Sequence, residues 1–162
     1  MHRVGQFVAH VRARVEPEEE AMVGRILPPA AVRLFAAMPV ADRRHGLDVA
    51  EALVRAGHHD ADLLGAALLH DAAKGHRMRL WHRVVGVLLE TVAPSLLRRL
   101  ARPDPGSWRH PFHLYLHHAP MSAELAAAAG CSPRLGSFIR GDAAGETDAR
   151  LLRALSDADD AS

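Results

Sequence analysis

Residues 60–75 read Asp60-Ala61-Asp62-Leu63-Leu64-Gly65-Ala66-Ala67-Leu68-Leu69-His70-Asp71-Ala72-Ala73-Lys74-Gly75. The spacing predicts a helix from about Asp60 to Ala73 that stops at Gly75. Leu63, Leu64, Ala66, Ala67, Leu68, Leu69, Ala72 and Ala73 leave it apolar on every side, so it belongs at the centre of the core. His70 and Asp71 break that pattern. Burying an imidazole and a carboxylate costs several kcal/mol, on the order of what unfolds a domain, unless both are paired or hold an ion. Neighbours on a helix point about 100° apart, so the two cannot easily satisfy each other. Two readings follow: ligands from one turn for a divalent ion, or a polar pair hydrogen-bonded to adjacent helices.

Working outward, two further segments aim polar side chains inward. His45 shares a helix face with Val49, Ala52 and Ala56, at i+4, i+7 and i+11. Asp159 follows Leu152 and Leu155 on the inner face of the last helix, whereas Asp157 and Asp160 fall on its solvated side. The chain therefore offers two histidines and two aspartates from three helices.

The rest of the sequence predicts more helix around these segments. Aromatics make up 4% of 162 residues, and Ala, Leu and Arg dominate, a composition that favours helix over sheet. Helices are expected from Pro17 and from Pro28-Pro29, then over about 42–56, 80–92, 94–101, 108–117, 121–129, 133–140 and 148–160. The expected fold is a compact all-α bundle forming one domain, with residues 1–41 as a helical lead-in and 42–162 as the motif-bearing core. A net charge of +1 gives no electrostatic reason to expect nucleic acid. The single cysteine, Cys131, rules out an intramolecular disulfide and a cysteine-based metal site. No apolar run approaches the roughly 20 residues of a membrane span, and no secretory leader is legible around Arg3, Arg12 and Arg14. The expectation is a cytoplasmic protein with no membrane partner.

Arg44-His45, Leu68-Leu69-His70-Asp71 with Lys74, and the late Ala158-Asp159 together resemble the H…HD…D signature of the HD superfamily of metal-dependent phosphohydrolases. The segment from His118 through Ala119, Pro120, Met121, Ser122 and Ala123 to Glu124 is similar to the His-Pro-x-x-Gly-Ala stretch of the HD-GYP branch and of small bacterial HD proteins. The likeness runs from about Asp42 to the C-terminus. It implies an HD-type bundle with a metal site between helices, holding one or two divalent ions (Mn, Fe, Co, Ni or Mg). His45, His70, Asp71 and Asp159 would be the ligands, with His118 and Asp142 as further candidates, and Asp71 and Lys74 the catalytic residues. It also implies hydrolysis of a small phosphorylated molecule, with a nucleotide the leading class. Arg44 and Arg109 are candidate phosphate clamps, as are Arg43, Arg77 and Arg79, because guanidinium grips phosphate bidentately; for each, an ordinary solvated arginine is the alternative.

The departures are as specific as the matches. Gly141-Asp142-Ala143 stands where two-metal branches carry histidine, and no Gly-Tyr-Pro segment follows, which disfavours a cyclic di-GMP phosphodiesterase. Ser122 and Ala119 replace the usual Gly and Pro of the His118 segment. His110, His113 and His117 line one helix face at i, i+3 and i+7, but the outer two lie about 10 Å apart by helical rise and cannot share an ion. They are expected to be mostly exposed. Three functions stay open: a phosphohydrolase, a regulatory module that binds metal and a phosphorylated ligand without turnover, or a purely structural metal site. Self-association is open as well.

Overall fold

The computed structural model describes residues 15–75, 78 and 80–162. It is an all-α bundle, with no strand among the described residues. In chain order the helices are α1 (Pro17–Ile26), α2 (Pro29–Ala36), α3 (Val40–Arg55), α4 (Ala61–Leu69), α5 (Leu80–Val92), α6 (Pro94–Leu100), α7 (His110–Ala128), α8 (Pro133–Arg140) and α9 (Glu146–Ala161). Pro17, Pro29, Pro94 and Pro133 each occupy the first turn, where a missing N–H costs nothing.

Helix α4 is the axis of the bundle. Every residue from Leu63 to Leu69 is buried, and α1, α3, α7, α8 and α9 all pack on it. Full burial of a leucine contributes about 1.5–3 kcal/mol, so Leu63, Leu68 and Leu69 anchor the core that also takes in Phe35, Leu47, Leu53 and Phe138. Asp60 caps this helix, its carboxylate accepting from the Leu63 amide at 3.0 Å. Gly46 lets α3 approach closely: a Cβ there would stand 3.1 Å from the carbonyl oxygens of Ala67 and Leu68. That contact sets His45 beside the end of α4.

Two expectations about helix limits are corrected. The expected helix through Ala73 ends at Leu69, and residues 70–75 continue as tight turns, with Ala72 bonded to Leu69 and Lys74 to Asp71, each at 3.0 Å. Ala73 turns its amide away to the buried Ser122 hydroxyl on α7, also at 3.0 Å, so a side chain takes the place of the next helical bond. Residues 108–117 and 121–129, expected as two helices, are joined in α7, which runs straight through Pro120. An interior proline removes one N–H and crowds the carbonyl a turn earlier, and the helix accommodates both with Pro120 on its exposed side.

Helices α5 and α6 stand apart from this core and rest on the first half of α7. Buried Met78, Leu97, Phe112 and Leu114 lie outside the main cluster, and α5 exposes Trp81, Val84, Leu88 and Val92. No helix among the described residues is long and apolar enough to cross a membrane.

Candidate metal centre

The early end of α4 brings the polar side chains together. His70 is the residue that closes the helix, and its Nδ1 donates to the Ala67 carbonyl at 2.9 Å. A carbonyl only accepts, so Nδ1 carries a proton, and Nε2 is the nitrogen turned to the carboxylates, a donor to them while the ring is charged and a lone pair for an ion that takes that proton's place. That Nε2 stands 3.5 Å from Asp71 Oδ1 and 3.4 Å from Asp159 Oδ1. On a continuing helix the two neighbours would diverge; past the helix end they reach the same point. His45 on α3 adds its Nε2, 2.7 Å from the same Asp159 oxygen, and its ring meets that of His70 edge-on with centroids 5.2 Å apart.

His45, His70 and Asp159 thus offer one ligand atom each, all within 4.8 Å of one another. Atoms held about 2.1 Å from a common ion stand roughly 3 to 4.2 Å apart, so rotations of a few tenths of an ångström would seat one. The carbonyl behind His70 is the kind of support that orients a ligating imidazole.

Asp71 closes the inner side. Its side chain is 1% exposed, and Lys74 Nζ reaches both oxygens, Oδ1 at 2.6 Å and Oδ2 at 2.7 Å. The Oδ2 contact is a hydrogen bond; Oδ1 has no hydrogen-bond partner of acceptable geometry. Oδ1 is thus ion-paired with Lys74 without a hydrogen bond, and it also faces His70 and His118, on the side from which an ion could share it. His118 on α7 repeats the His70 arrangement: Nδ1 donates to the Tyr115 carbonyl at 2.9 Å, and Nε2 stands 3.8 Å from Asp71 Oδ1.

The electrostatics follow from these distances. Burial alone would push the His70 imidazole down, but Asp71 and Asp159 outweigh it and hold its pKa above the usual value. Burial opposes ionisation of Asp71, yet His70 and Lys74 keep its carboxyl well below the carboxylate range. Asp159 is likewise held down against its own burial by hydrogen bonds from His45 and His70. His118 moves the other way, lowered by burial and by the Lys74 charge.

A cavity of about 220 Å3 opens beside the cluster, with His70, His118 and Asp159 on one side and Phe138, Ile139, Leu152 and Leu155 on the other. Ala119, Arg140, Gly141 and Ser156 complete its lining.

The remaining candidates from the sequence lie elsewhere. Asp142 is 63% exposed and pairs with Arg140 at 2.9 Å, away from the gathered ligand atoms. Its backbone explains the placement: Gly141 takes φ 81° to end α8, and the Asp142 amide bonds back to Ser137. Arg44 is held by Glu19 of α1 and by Asp48 at 2.9 Å, a strut between helices rather than a clamp on the cavity. Arg43 lies 3.7 Å from Glu20. Arg109 donates to the carbonyls of Leu100 and Arg99 and so closes the end of α6. Arg3, Arg12, Arg14, Arg77 and Arg79 lie outside the described residues.

Ser122 was noted in the sequence only as a departure from the family stretch. Its hydroxyl fastens the turn that carries Asp71 and Lys74. Arg134, which no motif marks in the sequence, grips Asp60 and Asp148 at 2.8 Å and lies 4.8 Å over the Phe138 ring, tying α4, α8 and α9. The signal was available: an arginine just inside α8, in a chain whose α4 and α9 both open on acidic residues.

No family model, curated protein or solved structure matches this chain.

Proposed function

We propose that this chain is a divalent-metal-dependent phosphohydrolase of the HD type, acting on a phosphomonoester or phosphodiester. The observation that carries the reading is the convergence of His45 Nε2, His70 Nε2 and Asp159 Oδ1 within 4.8 Å, with Oδ1 of buried Asp71 3.5 Å from the same His70 nitrogen. Two imidazoles and two carboxylates suit a borderline-to-hard ion such as Mn, Fe, Co, Ni or Mg. When bound, such an ion supplies Lewis acidity toward a phosphate oxygen and water activation near neutral pH.

The residues divide the remaining work. His45, His70 and Asp159, with Asp71 beside them, would hold the ion. Lys74 donates one hydrogen bond to Asp71 Oδ2 and has further N–H donors for a phosphate oxygen, so it would orient the carboxylate and steady substrate charge together. His118 presents its unprotonated Nε2 to the cavity, as a further ligand or as the acceptor of a proton from attacking water. Asp142, drawn to Arg140, contributes no ligand in this arrangement.

Elemental analysis of wild type and Asp71→Ala, followed by turnover of a phosphate-ester panel with each of the five metals, tests the reading. Close to one ion per chain, lost in the variant, and metal-dependent turnover are expected. Equal metal content in both proteins, or no turnover with any ester and metal, sinks it.

A second reading, a metal-dependent binding module without turnover, draws on one observation. Lys74 covers both oxygens of Asp71, and no second set of three ligands gathers among the described residues. Metal-dependent affinity for a nucleotide without its hydrolysis would favour that reading over the first.

A further inference from the structure

We infer that the substrate is a small phosphomonoester with an apolar alcohol portion, aryl or short alkyl, rather than a nucleotide; the inference rests on the phosphohydrolase reading above. The cavity beside the ligand cluster has two unlike sides. His70, His118 and Asp159 make the side where a phosphate would meet the ion, and Ile139, Leu152 and Leu155 make the side that would receive the group esterified to it. A volume of about 220 Å3 falls below the roughly 300–1,000 Å3 of pockets that enclose drug-sized ligands.

A nucleobase finds little to recognise it. Base edges need fixed donors and acceptors, because a site discriminates polar substrates by the hydrogen bonds it would otherwise leave unmade. Among the described residues, the polar side chains lining the cavity outside the ligand cluster are Ser156 and Arg140, and Arg140 already donates to Asp142 at 2.9 Å and to Ser137 at 3.2 Å. Stacking is blocked as well. Phe138 is 2% exposed, and Arg134 lies over its ring. An apolar alcohol portion, by contrast, gains from contact with the aliphatic wall and demands no hydrogen bond. The reaction is a simple hydrolysis: water adds to phosphorus, the P–O bond to the alcohol breaks, and the alcohol departs with one proton from that water, leaving inorganic phosphate.

The test uses metal-loaded protein and two readouts. Calorimetry with the non-hydrolysable phenylphosphonate, methylphosphonate and adenosine monophosphate reads binding; phosphate release from phenyl phosphate and from adenosine monophosphate reads turnover. Phenylphosphonate should bind at least about tenfold more tightly than methylphosphonate, the ratio expected from burying part of a ring, and more tightly than the nucleotide. Ser156→Trp, at an exposed position on the cavity lining, should weaken phenylphosphonate binding about tenfold with metal content unchanged. Tighter binding or faster hydrolysis of the nucleotide than of the phenyl compound overturns the inference and leaves the phosphohydrolase reading standing. No metal-dependent turnover of either ester overturns that reading and this inference with it.

Discussion

Two groups of histidines occupy this molecule, and they are built in opposite ways. His45, His70 and His118 come from α3, from the end of α4 and from α7, and they meet around Asp71 and Asp159. His110, His113 and His117 come from one face of one helix and stack along it, with ring centroids 5.8 and 4.5 Å apart. Contrary to the expectation of exposure, His110 is buried, its Nδ1 3.3 Å from the Arg102 carbonyl, and of the three only His117 is exposed. The inner group has carboxylates within reach and carbonyls that fix two of its rings. In the outer row, burial and the neighbouring His117 and His110 push the His113 imidazole down, so His113 resists charge. Abundance of histidine therefore says little; what matters is whether chain elements distant in sequence aim ring nitrogens and carboxylates at one volume.

The sharpest way to break this contrast is to remove Asp71. Lys74, 17% exposed, would keep its charge with no partner, and breaking a buried pair from one side costs about 3–5 kcal/mol. Asp71→Ala should lose that much stability in urea unfolding of metal-free protein, and metal should not restore it. Lys74→Met leaves the carboxylate instead, so it too is destabilised without metal but should be largely rescued by Mn²⁺. If metal rescues both variants or neither, Asp71 is not a ligand.

The second prediction sets the two groups side by side. A ligand that binds only the folded state stabilises it by about 2.7 kcal/mol at a hundredfold excess over its dissociation constant. Wild type should show that gain over chelator-treated protein in thermal unfolding. His70→Ala should abolish it, while the double substitution His113→Ala with His117→Ala should retain it in full. A gain lost with the outer pair would move the principal metal site to α7.

How much of this was legible in the sequence depends on what each residue's position rests on. The buried character of 63–69 could be read directly, because an apolar run leaves a helix nowhere to be but inside. The inward aim of His45 and Asp159 followed from helical periodicity, which is a local rule. The end of α4 was not legible: Ala72 and Ala73 are good helix formers, and the helix stops because Ser122, forty-nine residues later, takes the Ala73 amide. That stop is what lets His70 and Asp71 converge, so the reasoning that treated them as diverging neighbours on one helix was wrong about the geometry. The roles of Arg44 and Arg109 were hidden for a similar reason. A guanidinium looks the same whether its partner is a phosphate or a carboxylate and carbonyls of its own chain, and only packing decides.

A smaller effect is expected at the far end of α4. Arg134 grips Asp60 and Asp148 from a half-exposed position, and such pairs carry up to about 1 kcal/mol each. Arg134→Met should destabilise by about 1 kcal/mol at pH 7 and leave metal content untouched, because the clasp lies outside the ligand cluster. The pH dependence has a definite sign. Burial would raise the Asp60 carboxyl, but its bond to Arg134 holds it below the ordinary value, which is about 3.9 unfolded. A depressed folded pKa contributes stability that is present above the unfolded value and lost as pH falls through the folded one. The gap between wild type and variant should therefore close as the pH drops below about 4. A gap that stays constant there would mean the arginine works through Phe138 packing instead.

The smallest effect is expected at Asp142, and it decides whether the inner group can hold a second ion. Gly141 and Asp142 stand where a two-metal site would want histidine, and the carboxylate could in principle serve a hard cation. In the folded chain it is 63% exposed, its Oδ2 accepts from Arg140 Nε at 2.9 Å, and the turn holding it is set by the left-handed Gly141. Reaching the ligand cluster would mean giving up that pair and the helix end together. Asp142→Ala should therefore change stability by no more than about 0.5 kcal/mol, as surface substitutions usually do, and leave close to one ion per chain by elemental analysis. It should also free Arg140 on the cavity lining, so any change in phosphonate affinity belongs to substrate and not to metal. A wild type carrying close to two ions, reduced to one by Asp142→Ala, would instead show that the α8 end swings inward on loading and that the site is binuclear.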